Sequence, residues 1–382
     1  MHVAINAAFW NQPHTGSGQY TRQLVYHLNR LVSDLTITLV FPQAAEEPAP
    51  EAVPPSVAVQ LVPVRSGNLG KVWFEQILFP RACREVGATL AHVPYWGAPL
   101  QSPVPLVVTV HDLTTLLVPE YRRPFLTRLY NALVSASARG ATQIITDSEA
   151  SKQDIITHLH IPAEKISRIY LAASDQFSSK DDGLMEMAIL RKYDLPDFYL
   201  LYLGGYELHK NVTTLLLAWT YVGQALGEDY PLMLAGRKPT ETSAIYPDYD
   251  AYIAQLGIGE YVRWLGYVDE EDKPILYRNA ETFIFPSRHE GFGLGVVEAM
   301  ASGTPVVTTN VSSLPEVVGE AGFSVDPDDA RGMAGAIIST IVQDNLRTEL
   351  RQKGEQQAAT FSWEKTATET LLIYDSVLSI RS

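Results

Sequence analysis

The feature that most constrains this chain is an alternation of short apolar runs with helix-period segments. It continues to about residue 170 and begins again near residue 199. Runs at 2–7, 35–41, 57–62, 106–110, 143–146 and 166–170 read as strands, and 19–32, 125–138 and 148–158 read as helices. Strands separated by helices join as βαβ units into parallel sheets. After the restart, 199–204, 232–235, 262–265, 282–285 and 305–308 read as strands, with a helix at 211–221. The polar stretch 173–182 (ASDQFSSKDD) reads as the hinge. The expectation is α/β: two doubly wound domains at 1–175 and 176–362, closed by a helical segment within 363–382. Ligands of such sheets bind outside the carboxyl ends of the strands, so two crevices provide for two substrates. Residues 42–56, rich in Pro, Glu and Ala, read as an exposed mobile loop.

Composition removes several function classes. A single cysteine, Cys83, excludes an internal disulfide and a multi-cysteine metal cluster; a reducing compartment is the natural reading, with a secreted protein lacking disulfides as the alternative. The first ten residues read as a strand rather than a signal peptide, and no apolar run approaches the ~18 residues of a membrane span. The expected location is therefore cytoplasmic, with any membrane contact peripheral and through the N-terminal domain. The net charge is −14, yet residues 1–178 hold 13 basic and 13 acidic residues, so the acidity lies wholly in the second half. An acidic field opposes nucleic-acid binding. The local basic stretch with Arg122, Arg123, Arg128 and Arg139 reads as a solvated helix face or, less simply, as a contact for an anionic membrane. There is no His/Cys cluster, HExxH or EF-hand pattern, so neither metal nor cofactor is expected, and Asp248 and Asp250 read as a surface loop.

The richest chemistry lies in FIFPSRHEGFGLGVVEAMASGTP, residues 283–305. A strand ends near Phe285, a polar loop spans 287–293, and a helix runs from about Leu294 to its stop at Gly303 and Pro305. Such a loop aims backbone N–H groups and a helix dipole at an anion, which suits a diphosphate. Glu290 and Glu298 are carboxylates able to accept hydrogen bonds from adjacent sugar hydroxyls. The plainer reading makes Glu298 a complement to the helix N-terminus and leaves Glu290 solvated. In LGGYELHKN, Lys210 follows a strand-ending glycine pair and can approach a diphosphate as a point charge. His111 and Asp112 follow the run PLVVTV, at the carboxyl end of a buried strand. Gly16 and Gly18 of PHTGSGQY permit close backbone approach to a ligand, though a plain tight turn is the alternative. Trp73, Phe74 and Trp96 are candidates for stacking on an acceptor, against the usual fate of such residues in a core.

EGFGLGVVEAMASGTPVV resembles the donor-binding signature of the retaining glycosyltransferase family 4, whose fold is the twin-sheet GT-B arrangement of two facing Rossmann-like domains with a cleft between them. Gly295 stands where proline is usual. VTVHDLT, ITDSEASKQDI, SSLPEVVGEAG and FSWEKTA agree in order and spacing, so the resemblance covers nearly the whole chain. It implies that Glu298 binds the nucleotide ribose and that Glu290 lies near the donor hexose. It places the backbone of Phe292, Gly293 and Leu294 at the sugar and phosphates, and the base near Gly266 and Val268. It also implies that the loop with Gly16 and Gly18 closes over the phosphates and that His111 contacts a hexose hydroxyl. Lys210 would stabilise the leaving group, with His209 where arginine is usual. Catalytic roles thus fall to His111, Lys210 and Glu290. The HKN variant resembles mannosyltransferase-type members, which implies a GDP-mannose donor and a saccharide or lipid-linked saccharide acceptor. The final helix is expected to cross back to the first domain. A sugar-nucleotide epimerase on the same fold and a catalytically silent sugar-nucleotide-binding subunit are the alternatives.

Overall fold

A computed structural model describes residues 1–44, 50–122, 125–180 and 183–379. Arg123 of the basic stretch, residues 45–49 of the 42–56 loop, 181–182 of the hinge and 380–382 of the closing segment lie outside the described residues. The chain forms two compact units: Met1–Leu171 with the segment from Ser362 onward, and Ala172–Phe361.

The first unit holds a seven-stranded parallel sheet in the order β3-β2-β1-β4-β5-β6-β7. Its strands are β1 (His2–Asn6), β2 (Thr36–Gln43), β3 (Ala58–Pro63), β4 (Leu90–Val93), β5 (Leu106–Thr109), β6 (Gln143–Thr146) and β7 (Ile166–Arg168). The second holds a six-stranded parallel sheet, β10-β9-β8-β11-β12-β13. Its strands are β8 (Leu200–Leu203), β9 (Leu232–Ala235), β10 (Val262–Gly266), β11 (Thr282–Phe285), β12 (Val306–Thr309) and β13 (Gly322–Val325). Every residue of β4, β5, β9, β11 and β12 is buried. Helices covering both faces of a parallel sheet require this, and it is why these strands read as unbroken apolar runs. Strand order reverses beside β1 in the first sheet and beside β8 in the second. A crevice opens at such a reversal, so the loops after β1, β4, β8 and β11 are placed to meet ligands.

The helix Trp363–Ser379 belongs to the first unit and packs on the helix Gly16–Leu31. Its buried residues Trp363, Thr366, Ala367, Thr370, Tyr374 and Val377 recur every three or four positions, the stripe of an amphipathic helix. The Thr366 hydroxyl donates to the Tyr170 carbonyl at 2.6 Å, and the Tyr374 hydroxyl meets His92 Nδ1 at 2.6 Å. No helix among the described residues is long and apolar enough to cross a membrane.

Two readings of the sequence need correction. Pro42 and Gln43 are not loop: they extend β2 and pair with Val62 and Pro63. Proline is tolerated in a strand where its missing N–H costs no ladder bond. Beyond them Ala44 is buried, and Trp10 Nε1 donates to the Glu51 carbonyl at 2.7 Å, so the described part of this loop is tied to the unit. Phe74 is core, not a stacking surface. It is fully buried, and Trp96 packs on the same cluster; only Trp73 is exposed.

Phe74 opens a π-helical turn, Phe74–Leu78, that turns Glu75 inward. The Glu75 carboxylate is fully buried and accepts hydrogen bonds from Tyr95 and Tyr130 at 3.1 Å, with Lys71 at 3.8 Å. Burial raises its pKa to about 7, against the partial relief given by Lys71 and the two tyrosines. A carboxyl whose folded pKa lies above its unfolded value adds stability at low pH and loses it as pH rises through the folded value. Between pH 4.5 and 7 the wild type is expected to lose roughly 3 kcal/mol that Glu75→Gln does not lose. Parallel denaturant titrations of the two proteins across that range check this; coincident pH profiles would refute it.

Candidate active site

In the second unit, the loops leaving β8 and β11 are stitched together. After β8, the turn Leu208–Lys210 ends at Asn211, which adopts a left-handed conformation (φ 58°) and opens the helix Val212–Leu226. Asparagine is one of the few residues that enters this region without a large penalty. Its side-chain amide donates to the Pro286 carbonyl at 3.0 Å and the Pro327 carbonyl at 2.8 Å, and the Arg288 amide donates to the His209 carbonyl at 2.8 Å. The β11 loop is held in turn by two serines. Ser312 Oγ donates to the Glu290 carbonyl at 2.7 Å, and Ser313 Oγ bonds the carbonyls of Glu290 and Phe292 at 3.0 and 2.8 Å.

This frame brings Lys210 and Glu290 together. Lys210 Nζ lies 2.7 Å from Glu290 Oε1 and 5.5 Å from the Phe285 ring centre. Both side chains are mostly covered, at 19% and 12% exposure, so the pair is poorly screened yet open to a ligand. His209, which stands where arginine is usual, accepts the Arg288 amide at its carbonyl. Arg288, not singled out in the sequence, donates from Nε to Asn211 Oδ1 at 3.2 Å and pairs with Asp328. It stands inside the quoted motif, where its charge was the available signal.

Glu298 is placed differently from the helix-complement reading. The helix Leu294–Ala301 is capped by Gly293 (φ 103°), and no side chain caps it. A side chain at Gly293 would be strained by that φ and would press on Leu314 Cδ2 at 2.8 Å. Glu298 lies one turn inside the helix, 6% exposed, accepting from the Tyr277 hydroxyl at 3.1 Å. Burial raises its pKa; Lys273 opposes the rise, Glu270 adds to it, and the Tyr277 bond opposes it. Tyr277, Lys273 and Glu270 were not legible as a set, because they gather on a neighbouring segment only in the fold. Gly295, the departure from the usual motif, sits where a Cβ would meet the Tyr277 hydroxyl at 3.3 Å and Phe283 Cζ at 3.4 Å.

The remaining donor-side candidates are backbone positions or core. Phe292 is buried and packs edge-on against Phe361 at 5.5 Å, and Leu294 is half-buried at the helix start. Gly266 (φ 74°) has open space where a Cβ would be, and its carbonyl accepts from the Gly236 amide at 2.7 Å. The Val268 side chain is buried, so only its backbone can meet a base. Between them Tyr267 is 43% exposed, with the Arg237 guanidinium 4.9 Å from its ring centre. This pair was missed in the sequence and offers both a flat face and a donor fork.

In the first unit, His111 follows β5. Its Nδ1 lies 2.6 Å from Asp147 Oδ2 and its Nε2 3.2 Å from the Pro94 carbonyl. Burial disfavours the charged ring, but Asp147, Asp112 and the Pro94 carbonyl outweigh it and hold the pKa above its ordinary value. With an acceptor at each nitrogen, the ring is protonated more readily than a free imidazole. Asp112 orients the loop, accepting from the Thr114 amide at 2.8 Å. Beneath His111, Tyr20 lies edge-on at 4.9 Å, and its hydroxyl meets Thr109 Oγ1 at 3.0 Å. Thr109 Oγ1 is 2.9 Å from His92 Nε2, so a buried chain of polar contacts joins this floor to Tyr374 of the closing helix.

The two glycines of the first loop separate in role. Thr15 caps the helix Gly16–Leu31 by accepting from the Gly18 amide at 3.1 Å. A Cβ on Gly18 would fall 2.0 Å from the Gln12 carbonyl oxygen, so its small size serves the chain's own packing. Gly16 has nothing within 4 Å and is the position a ligand can approach. Among the described residues no group of three or more His, Cys, Asp or Glu side chains could hold a metal ion.

Residues 14–175 match the family described as Glycosyltransferase Family 4, and residues 190–357 match Glycosyl transferases group 1. O-antigen chain mannosyltransferase B of Escherichia coli is 36% identical over 270 residues, which cover 70% of this chain and 69% of that protein. The chain belongs to glycosyltransferase family 4. Serotype-specific mannosyltransferase WbdA of Escherichia coli is 29% identical over 270 residues, 68% of this transferase but only 32% of WbdA, so the match spans about a third of that relative. Among solved structures, sucrose-phosphate synthase from Thermosynechococcus elongatus superimposes with a TM-score of 0.81 at 21% identity, covering 100% of both chains. Alr3699/HepE of Anabaena, in complex with UDP-glucose, superimposes at 0.73 with 20% identity, covering 98% of this transferase and 100% of that chain. These likenesses assign the transferase the GT-B fold. Lys210, Glu290 and Glu298 of this glycosyltransferase thus stand on the β8 and β11 side of its second Rossmann-like sheet.

Proposed function

We propose that this family 4 transferase moves a mannosyl group from GDP-mannose to a hydroxyl of a saccharide or lipid-linked saccharide. The anomeric configuration is retained, and no metal or other cofactor takes part. The observation that carries the reading is the Lys210–Glu290 pair, 2.7 Å apart on the two loops that flank the strand reversal of the second sheet. A diphosphate competes for the Lys210 ammonium, and hexose hydroxyls take over the Glu290 carboxylate. Mannose is supported by the Escherichia coli relatives named mannosyltransferases.

In this reading the bond between the anomeric carbon and the diphosphate oxygen breaks, and its electron pair stays on the phosphate. Lys210 and the N–H groups at the start of the helix Leu294–Ala301 stabilise that charge, a preorganised electrostatic effect. The acceptor oxygen bonds the anomeric carbon on the face the diphosphate leaves, and its proton passes to the departing phosphate oxygen. His111, oriented by Asp147 at Nδ1, turns its Nε2–H from the Pro94 carbonyl to a hexose hydroxyl and thereby fixes the sugar.

The test is incubation with GDP-mannose, UDP-glucose or ADP-glucose and a mannose-terminated oligosaccharide. Product carrying one more hexose is expected with GDP-mannose, with NMR showing the donor's anomeric configuration and a chelator leaving the rate unchanged. Product only from another nucleotide sugar, an inverted linkage, or isomerised donor with no acceptor consumed would each overturn the reading.

A further inference from the structure

The first unit carries a basic groove whose lining includes neither His111 nor the first loop. A cavity of about 350 Å³ opens along the helix Phe125–Gly140, and Arg122, Arg128, Asn131, Ser135, Arg139 and His158 line it. Arg128, Ser135 and Arg139 are seven and four residues apart, so they share one helix face. No carboxylate is among the lining residues, and among the described residues none of the three arginines forms an ion pair. Arg139 spends only its Nε, on the Leu159 carbonyl at 2.9 Å, which leaves the outer fork open. Guanidinium groups without a carboxylate partner around one groove suit a phosphate, whereas the Asn131 amide and Ser135 hydroxyl are spent on the carbonyls of Thr115 and Asn131.

Beside this groove the same helix exposes large apolar side chains at its first turn. Phe125 and Leu126 are each 73% exposed, and Leu129, one turn on, is 59% exposed. Water gains nothing from such a cluster, and the unit's own core does not cover it. A basic row flanked by an exposed apolar row is the pattern of a helix that lies in a membrane interface. The molecule's net charge of −14 repels an anionic surface, so the attraction must come from this local patch in the half of the chain that carries no net charge.

We propose that this groove is a docking site for an anionic bilayer. The arginines clasp lipid phosphates, and Phe125, Leu126 and Leu129 enter the acyl boundary. This stands apart from the donor assignment, because docking is measured with no nucleotide sugar present.

The experiment is sedimentation of the full chain with vesicles of phosphatidylcholine alone or mixed equally with phosphatidylglycerol. Binding is expected to the mixed vesicles, to weaken at high salt, and to be slight with phosphatidylcholine alone. Each arginine near an anionic surface contributes about fivefold, the equivalent of about 1 kcal/mol, so Arg122→Ala, Arg128→Ala and Arg139→Ala together should weaken binding about 100-fold. Phe125→Ser with Leu126→Ser should weaken it about tenfold or more, with less dependence on salt. All substituted side chains are exposed, so circular dichroism should show unchanged folding. Absence of wild-type binding to mixed vesicles, or equal binding by the arginine variant, overturns the proposal. So does stabilisation by inorganic phosphate without vesicle binding, which would make the groove a site for a free anion.

Discussion

Lys210→Ala is expected to lower kcat by about 10²–10³-fold while the donor KM moves far less. One preorganised positive group at a developing phosphate charge is worth about that much, because it acts in the transition state more than in the bound ground state. The structure gives Lys210 the means to hold position without a ligand: Glu290 at 2.7 Å, the Phe285 ring beneath it, and a turn fixed by Asn211. Lys210→Arg keeps the charge but replaces a compact ammonium with a planar fork, so partial recovery is expected. Glu290→Gln releases the ammonium yet keeps an oxygen for a hexose hydroxyl. Its expected cost is about 10- to 100-fold, the range for losing a charged hydrogen bond. Steady-state kinetics with saturating acceptor separates these outcomes. Wild-type kcat in Lys210→Ala would remove the lysine from the mechanism and leave Arg288 as the cation to examine.

How much of this was readable before the fold depended on what kind of signal each residue gives. Strands buried on both faces announce themselves as apolar runs, and β6, β9 and β11 fall where the sequence places them. β4 and β13 did not, because LAHV and GFSV dilute the pattern with alanine, histidine, glycine and serine. His92 in β4 is tolerated there only because Tyr374 and Thr109 satisfy its two nitrogens from distant segments. Pro42 misled for the opposite reason: a local turn residue was overridden by pairing to β3. The site showed the same division. Lys210, Glu290 and Glu298 stand in recognisable loop and helix positions. Their partners Ser312, Ser313, Tyr277 and Lys273 become neighbours only once the chain has folded. Gly18 is instructive because its residue type was noticed for the right property and the wrong beneficiary: the close approach is to the Gln12 carbonyl.

Glu298→Gln should separate stability from binding. Burial, with Glu270 adding to it, disfavours the Glu298 carboxylate in the empty protein and raises its pKa. Glutamine keeps an oxygen for the Tyr277 hydroxyl at nearly the same volume and removes the charge. The wild type should therefore lose stability as pH rises through the interval between the ordinary carboxylate value and the raised one, and the variant should not. At neutral pH the variant is therefore expected to melt higher than the wild type. Nucleotide binding should move the other way. A carboxylate that accepts from two ribose hydroxyls gives charge-assisted bonds worth about 1.5–3 kcal/mol, so the variant should bind GDP about 10- to 100-fold more weakly. The GDP-induced rise in melting temperature should shrink to match, since that rise follows occupancy by mass action. A scan of melting temperature against GDP concentration reads both effects in one experiment. A higher starting temperature with a blunted rise means that the fold bears the cost of this charge for its ligand. A lower starting temperature with an unchanged rise would make Glu298 a structural partner of Lys273 and Tyr277, and the ribose contact would have to come from elsewhere on the second sheet.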